Sequence, residues 1–282
     1  MHARCSGASF VAYSAPVYDS DVISSSGPQK NTHVLVPSAK EKLEAPDSRH
    51  RKCLCMSLAQ NVLRMMPLLD MCMTKLYFLG GEDVAERDSK EINEKAFMEA
   101  GGKPVVLIFN WTAESADKMG KYRKIMVDYF EDIGASAVEF AECSDSLEEI
   151  AQKTKRSDLI YLPGGVTRIL LERILDAKVD SLLREYDKII VGNSAGALAL
   201  GRDCILTRGK RNKRTVIIPG LGLVDFSVKV HYKASKDREL KQLSYARKIY
   251  AIPERCALIY DSGSVSGIGD IYLFQNGEKT RQ

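Results

Sequence analysis

Short apolar runs alternate with segments of helical periodicity along the chain from Thr74 onward. β-Branched and aromatic residues dominate the short runs, whereas apolar residues three or four positions apart, followed by glycine, mark the helices. The pattern predicts helices over residues 89–100 and 116–133, and strands over residues 76–79, 104–109, 135–140, 158–162 and 188–191. Strands that alternate with helices form parallel βαβ units, so we predict an α/β fold with a mostly parallel sheet and helices on both faces.

The first 72 residues lack this regularity. Serine, proline and isolated charges are scattered among short apolar pieces, with no sustained period of 2 or 3.6. We therefore predict that residues 1–72 are a disordered extension or a mis-assigned start. The regular part, residues 73–282, is predicted to form one domain that begins near Met73.

A Gly-x-Ser-x-Gly pattern over residues 192–196 follows the apolar run 188–191 and precedes the helix formers 197–200. A strand, a sharp turn and a helix in this order describe a nucleophile elbow, with Ser194 as the nucleophile. The turn strains the serine backbone and brings neighbouring chain close, so Gly192 and Gly196 are needed because they lack a Cβ atom.

A serine nucleophile requires a base, usually histidine. Three of the four histidines lie in the irregular first segment, which leaves His231 after a β-like run. The histidine in turn requires an acceptor, and Asp225, Glu254 and Asp261 are the candidates. We favour Glu254, which Pro253 holds at a bend before the next strand, and the other two stay open.

Backbone amides that follow two strand ends are the candidate donors to an oxyanion. Ala195 begins the helix after the elbow, where the positive end of the helix dipole adds to its amide. Gly165 ends another strand in Pro163-Gly164-Gly165 and presents its amide without a side chain in the way. We therefore predict an oxyanion hole formed by Gly165 and Ala195.

Composition narrows the class of protein. The net charge of +4 over 282 residues is small and dispersed, which argues against a nucleic-acid partner. No apolar run is long enough for a membrane helix, and seven irregularly spaced cysteines favour a reducing cytoplasm without disulfides. No metal-ligand spacing occurs, and Gly80-Gly81-Glu82 lacks the third glycine of a dinucleotide motif, so a plain strand-to-loop turn explains it.

Taken together, these motifs resemble the peptidase E or α-aspartyl dipeptidase family of serine peptidases, which includes the cyanophycinases. The matching segments are residues 161–165, 192–197, 220–223, 231–232 and 237–239, in the family's order. The resemblance implies a class I glutamine amidotransferase-like (flavodoxin-like) fold, a Ser194-His231-Glu254 triad, and neither metal nor cofactor. It also implies a small peptide as substrate, with dipeptides that begin with aspartate the best-known case.

Such a substrate requires a cation for its side-chain carboxylate. The basic run 208–214 lies between the elbow and the histidine, and Arg208 is the residue that we nominate, although such a run is more often a solvated loop. Two other functions stay open at this point. One is an esterase or amidase that uses the same elbow, and the other is a non-catalytic binding module with an amidotransferase-like fold.

Overall fold

A computed structural model describes residues 74–208 and 213–282, so the predicted irregular segment and the predicted boundary at Met73 lie outside the described residues. In chain order the strands are β1 (Lys75–Leu79), β2 (Val105–Ile108), β3 (Ala137–Phe140), β4 (Leu159–Leu162), β5 (Ile189–Asn193), β6 (Asp203–Leu206), β7 (Val216–Pro219), β8 (Ser227–Lys229), β9 (Ile249–Ala251), β10 (Ala257–Asp261), β11 (Ser264–Ile268), β12 (Tyr272–Gln275) and β13 (Glu278–Arg281).

The helices are α1 (Lys90–Glu99), α2 (Ala116–Asp132), α3 (Leu147–Arg156), α4 (Thr167–Asp176), α5 (Asp180–Glu185), α6 (Ala195–Leu200) and α7 (Asp237–Leu243), with one 3-10 turn at Ala234–Lys236. Local sequence explains several of their ends. Ser146 and Glu149 form a reciprocal capping box at the start of α3, and the Ser115 side chain accepts from the Lys118 amide at the start of α2.

The main sheet has the order β11-β10-β1-β5-β4-β2-β3 within the described residues. Strands β1, β5, β4, β2 and β3 are parallel, and β10 and β11 continue the sheet in the antiparallel sense. Alternate side chains of β1 enter two different cores: Phe78 packs on the side of α4, α5 and α6, whereas Tyr77 packs on the side of α1 and α2. The predicted α/β fold with helices on both faces of a mostly parallel sheet is confirmed.

A second, mixed sheet was not predicted from the sequence. Its order in the described part of the chain is β13-β12-β9-β8-β6-β7, in which β6, β8 and β9 are parallel. Val228 and Tyr250 pack one face against the core of the main sheet, whereas Ile249 and Phe274 form a small core with Leu240 of α7 on the other face. The residue pattern over 235–249 predicts one helix, and this prediction is too long, because α7 ends at Leu243 and β9 begins at Ile249.

The parallel strands bring the residues that follow their carboxyl ends to one edge. Ser194 follows β5, Gly165 follows β4, and Gly80 follows β1. Ligand sites in open parallel sheets form at this edge. Among the described residues, no helix has both the length and the apolar character needed to cross a membrane.

The cysteines of the described residues are free. Cys204 is buried and Cys256 is half-buried, but Cys143 is exposed. As the cysteines of the regular part of the chain, all three are predicted to be small buried apolar residues, which is right for Cys204 and wrong for the exposed Cys143.

Candidate active site

Ser194 occupies the sharp turn between β5 and α6, with φ 49° and ψ −96°. An L-residue rarely adopts a positive φ, so the turn is strained and must be held by its surroundings. The flanking glycines permit it: a Cβ atom on Gly192 would lie 2.7 Å from the Ala197 nitrogen, and one on Gly196 would lie 2.1 Å from the Leu162 oxygen. The serine side chain is thereby directed away from the sheet, toward the loop that follows β8.

A chain of polar atoms runs from this serine across two loops. Ser194 Oγ lies 2.6 Å from Nε2 of His231, and Nδ1 of His231 lies 3.2 Å from Oε1 of Glu254. The His231 and Glu254 side chains are 46% and 58% exposed, so solvent and a substrate reach the site directly. Both ring nitrogens of His231 thus face the groups that a base in acyl transfer requires.

The segment that ends β1 holds all three loops. The carbonyl oxygens of Leu79, Gly80 and Gly81 accept hydrogen bonds from the amides of Ser194, His231 and Arg255, at 3.1, 2.7 and 3.1 Å. Two of these carbonyls therefore fix Ser194 and His231 directly. The third fixes Glu254 through the next residue, Arg255. Ser194, His231 and Arg255 also have positive φ angles of 49°, 49° and 59°.

The two glycines of this segment allow the close approach. A Cβ atom on Gly80 would lie 1.9 Å from the Pro253 oxygen, and one on Gly81 would lie 2.4 Å from Cε1 of His231. A plain strand-to-loop turn, the explanation that the sequence favours for Gly80-Gly81, does not account for these contacts. The two adjacent glycines were themselves a sign of this contact, since glycines after a central strand permit another segment of the chain to approach closely.

The other two candidate acids lie at the opposite end of the strands. Asp261 ends β10, and its carboxylate lies 3.0 Å from Nζ of Lys75 at the start of β1. Asp225 lines a surface cleft of about 620 Å³ together with Tyr260, which pairs with the second residue of β1. The structure therefore brings Glu254 to His231 and places Asp225 and Asp261 elsewhere.

The turn after β4 lies beside the elbow. A Cβ atom on Gly164 would be 3.6 Å from Cβ of Ser194, and Gly165 has a φ of 144°. Thr112 fixes this turn: its hydroxyl donates to the Gly164 oxygen at 2.7 Å, and its carbonyl accepts from the Val166 amide at 3.1 Å. Of the candidate oxyanion donors, Ala195 directly follows Ser194 in the chain, and Gly165 directly follows Gly164, which lies beside Ser194 in space. Sequence reasoning did not identify Thr112.

The model of peptidase family S51 matches residues 77–268 of this chain, which includes the whole arrangement described above. The chain belongs to peptidase family S51. It is accordingly a peptidase, and the family as a whole is one of serine peptidases.

Relatives of this family S51 chain carry similar names. It is 28% identical over 162 residues to a protein named as an uncharacterized peptidase of Listeria monocytogenes, an alignment that covers 54% of this chain and 78% of the relative. A similarly named peptidase of Listeria innocua is 28% identical over 148 residues, covering 50% of this chain and 70% of the relative.

Two solved structures share the fold of this family S51 member. A putative peptidase E protein from Listeria monocytogenes superposes with a TM-score of 0.52 and 25% identity, covering 70% of this chain and 98% of the other. A peptidase from an acI-B1 actinobacterium gives a TM-score of 0.54 at 16% identity, covering 74% and 94%. The resemblance to the peptidase E family that the motifs predicted is confirmed.

Two basic residues lie near the carboxyl ends of β6 and β8 in this family S51 chain. Arg208 follows β6; its amide donates to the Thr215 hydroxyl at 3.0 Å, and its carbonyl accepts from Lys236 Nζ at 3.0 Å. Lys229, two residues before His231, is buried, and burial lowers the pKa of its amine to about 8. Residues 209–212 of the predicted basic run lie outside the described residues.

No group of three His, Cys, Asp or Glu side chains within residues 74–208 and 213–282 has the arrangement of a metal site. Acyl transfer through a serine draws on the side chains and amides already described.

Proposed function

We propose that this protein is a serine peptidase that hydrolyses small peptides through a Ser194-His231-Glu254 triad and an acyl-enzyme. The observation that carries the proposal is the chain of contacts from Ser194 Oγ to His231 Nε2 at 2.6 Å and from His231 Nδ1 to Glu254 at 3.2 Å. Membership of family S51 supports the same class of reaction.

In the proposed reaction, Ser194 Oγ attacks the scissile carbonyl carbon while Nε2 of His231 takes the hydroxyl proton. Glu254 accepts from Nδ1–H, which selects the tautomer with a free lone pair on Nε2 and stabilises the imidazolium that forms. The amides of Gly165 and Ala195 donate to the oxyanion. The strained φ of Ser194 keeps the hydroxyl in position before substrate arrives, so no reorganisation of the nucleophile is required.

His231 then gives its proton to the leaving amine, the C–N bond breaks, and an ester to Ser194 remains. Water repeats the sequence: His231 removes its proton as it attacks the ester carbonyl, and the serine oxygen leaves with the proton. The free acid and the unmodified enzyme are the products. No step of this cycle requires an electron acceptor or a bound cofactor.

Dipeptides with N-terminal aspartate are the substrate class that we propose to test first. Arg208 is the candidate cation for the aspartate carboxylate, and two features support it: it follows β6 just as His231 follows the adjacent parallel strand β8, and Lys236 lies against its main chain. We place the reaction in the cytoplasm, because seven irregularly spaced cysteines suit a reducing compartment.

Incubation of the full chain with a panel of dipeptides, N-terminal aspartate among them, tests the proposal by the release of amine. We expect hydrolysis that the Ser194→Ala variant loses by at least about a thousandfold while its thermal unfolding is unchanged. Arg208→Ala should raise KM for aspartyl peptides alone. Hydrolysis of esters but not peptides would favour an esterase, and retention of peptidase activity by Ser194→Ala would refute the mechanism.

A further inference from the structure

A partly buried carboxylate, that of Glu82, follows the Gly80-Gly81 pair close to the candidate triad. Oε1 of Glu82 accepts from Nδ2 of Asn93 at 2.7 Å and from the Tyr129 hydroxyl at 2.6 Å, and Oε2 accepts from the Tyr161 hydroxyl at 3.0 Å. Burial raises the pKa of this carboxyl, and the three donors partly oppose that rise. The donors come from α1, α2 and β4, so Glu82 is hydrogen-bonded to one strand of the main sheet and to two helices that pack on it.

The main chain of Glu82 is tied to the residue before the nucleophile. Its amide donates to Oδ1 of Asn193 at 3.0 Å, and its carbonyl accepts from Nδ2 of Asn193 at 3.2 Å. Asn193 is buried and immediately precedes Ser194. The Asn193 side chain therefore hydrogen-bonds both the amide and the carbonyl of Glu82. These two bonds help to fix the distance between the end of β1 and the elbow.

Glu82 also directly follows the Leu79–Gly81 segment, whose carbonyls accept hydrogen bonds from the residues of the site. Leu79, Gly80 and Gly81 accept from the amides of Ser194, His231 and Arg255, and the two glycines impose little conformational restraint of their own. The segment must nevertheless keep a fixed path, because three residues with positive φ depend on it. Glu82 is the first side chain after the glycines that anchors this path.

We propose that Glu82 is a positioning residue of this enzyme: its carboxylate anchors the Leu79–Gly81 segment, and through it the relative positions of Ser194, His231 and Glu254. The proposal rests on the proposed function above. Glu82 does not touch the reacting atoms, so its loss should lower the rate of acylation and leave substrate binding nearly unchanged.

An apolar side chain would fill the same space without the cost of burying a carboxyl group. The packing contacts of an apolar side chain are not directional, however, whereas three hydrogen bonds from separate elements define one position for the carboxylate. Glutamine retains one acceptor oxygen for Asn93 and Tyr129, and its amide can donate to the Tyr161 hydroxyl, which accepts as readily as it donates. Glu82→Gln should therefore restore most of what Glu82→Ala loses.

Glu99 provides a matched control. It also accepts from a tyrosine hydroxyl, that of Tyr77, and from Lys75 at 3.0 Å, on the same face of the sheet. Glu99 ends α1 and contacts the first residue of β1, Lys75, at the opposite end of that strand from Ser194. Glu99→Ala removes a comparable interaction without reaching the site, so it separates general destabilisation from positioning.

The experiment measures kcat and KM on a cleaved dipeptide, together with the labelling rate of Ser194 by a fluorophosphonate, for the wild type and each variant of the full chain. Labelling forms the Oγ–P bond and breaks the P–F bond, with fluoride leaving and the serine proton passing to His231. We expect Glu82→Ala to lower kcat and the labelling rate by about a hundredfold with KM within threefold, since small displacements of reacting groups have effects of this size. Glu82→Gln and Glu99→Ala should stay within threefold of wild type.

Equal labelling and turnover by Glu82→Ala and the wild type would overturn the positioning role, as would an equal loss in Glu99→Ala. If Glu82→Ala fails to fold, the Tyr129→Phe and Tyr161→Phe double variant decides: a severalfold loss of kcat with native circular dichroism supports the role, and an unchanged kcat overturns it. A wild-type protein that neither labels at Ser194 nor cleaves any peptide would instead overturn the proposed function, and the positioning role with it.

Discussion

Gly81 and His231 are in contact so close that no side chain fits between them. A Cβ atom on Gly81 would lie 2.4 Å from Cε1 and 2.5 Å from Nδ1 of the imidazole ring, and 3.3 Å from Cγ of Glu254. The ring is therefore held from the side by backbone, while Ser194 and Glu254 engage its two nitrogens. The orientation of this imidazole ring depends on the absence of a Cβ atom at position 81.

Replacement of Gly81 by alanine should displace the ring and lower kcat by about a hundredfold, because the base must remain within hydrogen-bond reach of Oγ. Peptide hydrolysis and fluorophosphonate labelling of Ser194 measure the effect. Gly101→Ala is the control: Gly101 also has a positive φ, of 95°, but a Cβ atom there meets nothing within 4 Å. That variant should lose about 1 kcal/mol of stability and retain its activity. Equal loss of activity in both variants would contradict this account.

The identity of the acid can be tested by three amide substitutions. Glu254→Gln should lower kcat by about a hundredfold or more, because the carboxylate that fixes the His231 tautomer and stabilises the imidazolium is removed. Asp225→Asn and Asp261→Asn should leave kcat within about twofold, since both lie at the other end of the strands and surface charges there act weakly at this distance. A loss of rate confined to either aspartate variant would reassign the acid.

Thr112 offers a prediction about the turn after β4. Thr112→Val removes the hydroxyl that donates to the Gly164 oxygen and should lower kcat by about tenfold, because Gly165 is then less well fixed beside Ser194. Thr154→Val is the control, since the buried Thr154 hydroxyl has no hydrogen-bond partner among the described residues. It should leave activity unchanged and stability equal or greater. Steady-state kinetics and thermal unfolding of the two variants provide the comparison, and an unchanged kcat in Thr112→Val would show that the turn is held without it.

Lys229 makes the stability of the protein depend on pH. Burial lowers the pKa of its amine from the ordinary 10.5 to about 8, so between these values the folded protein binds fewer protons than the unfolded chain. Stability therefore rises as pH increases through this window and is lowest, by an amount on the order of 3 kcal/mol, where the amine is charged in both states.

Lys229→Met should accordingly stabilise the protein at pH 7 and lose most of this advantage by pH 10. Urea unfolding midpoints at the two pH values measure the difference between variant and wild type. Lys124→Met, at a side chain that is 79% exposed, should change the free energy of unfolding by less than about 0.5 kcal/mol at either pH. A stabilisation by Lys229→Met that is the same at both pH values would contradict the origin proposed for it.

The sequence predicted those parts of the site that are determined by residues close together in the chain. The strand before Ser194, the two glycines around it and the sole histidine of the regular part all follow from local rules. The contact between Gly81 and His231 could not be predicted by local rules, because it joins the loop after β1 of the main sheet to the loop after β8 of the second sheet. Likewise, Glu254 was favoured over Asp225 and Asp261, but only the antiparallel pairing of β10 with β1 places Asp261 at the far end.

The second sheet escaped prediction for a different reason. β8 lies within the β-like run that precedes His231, but β6 and β9 are four and three residues long, too short for alternation to be distinguished from helical periodicity. β9 also follows α7 after only a few residues, so the two read as one amphipathic stretch. Burial against the core of the main sheet, which no local pattern reports, determines that residues 249–251 are extended.

The three carbonyls of Leu79, Gly80 and Gly81 also bear on the order in which the protein folds. Their partners, the amides of Ser194, His231 and Arg255, lie far from them along the chain. Closing such long loops carries an entropic cost that is repaid only when the elements on either side pack together. We therefore expect these three contacts to form late in folding, after both sheets have assembled.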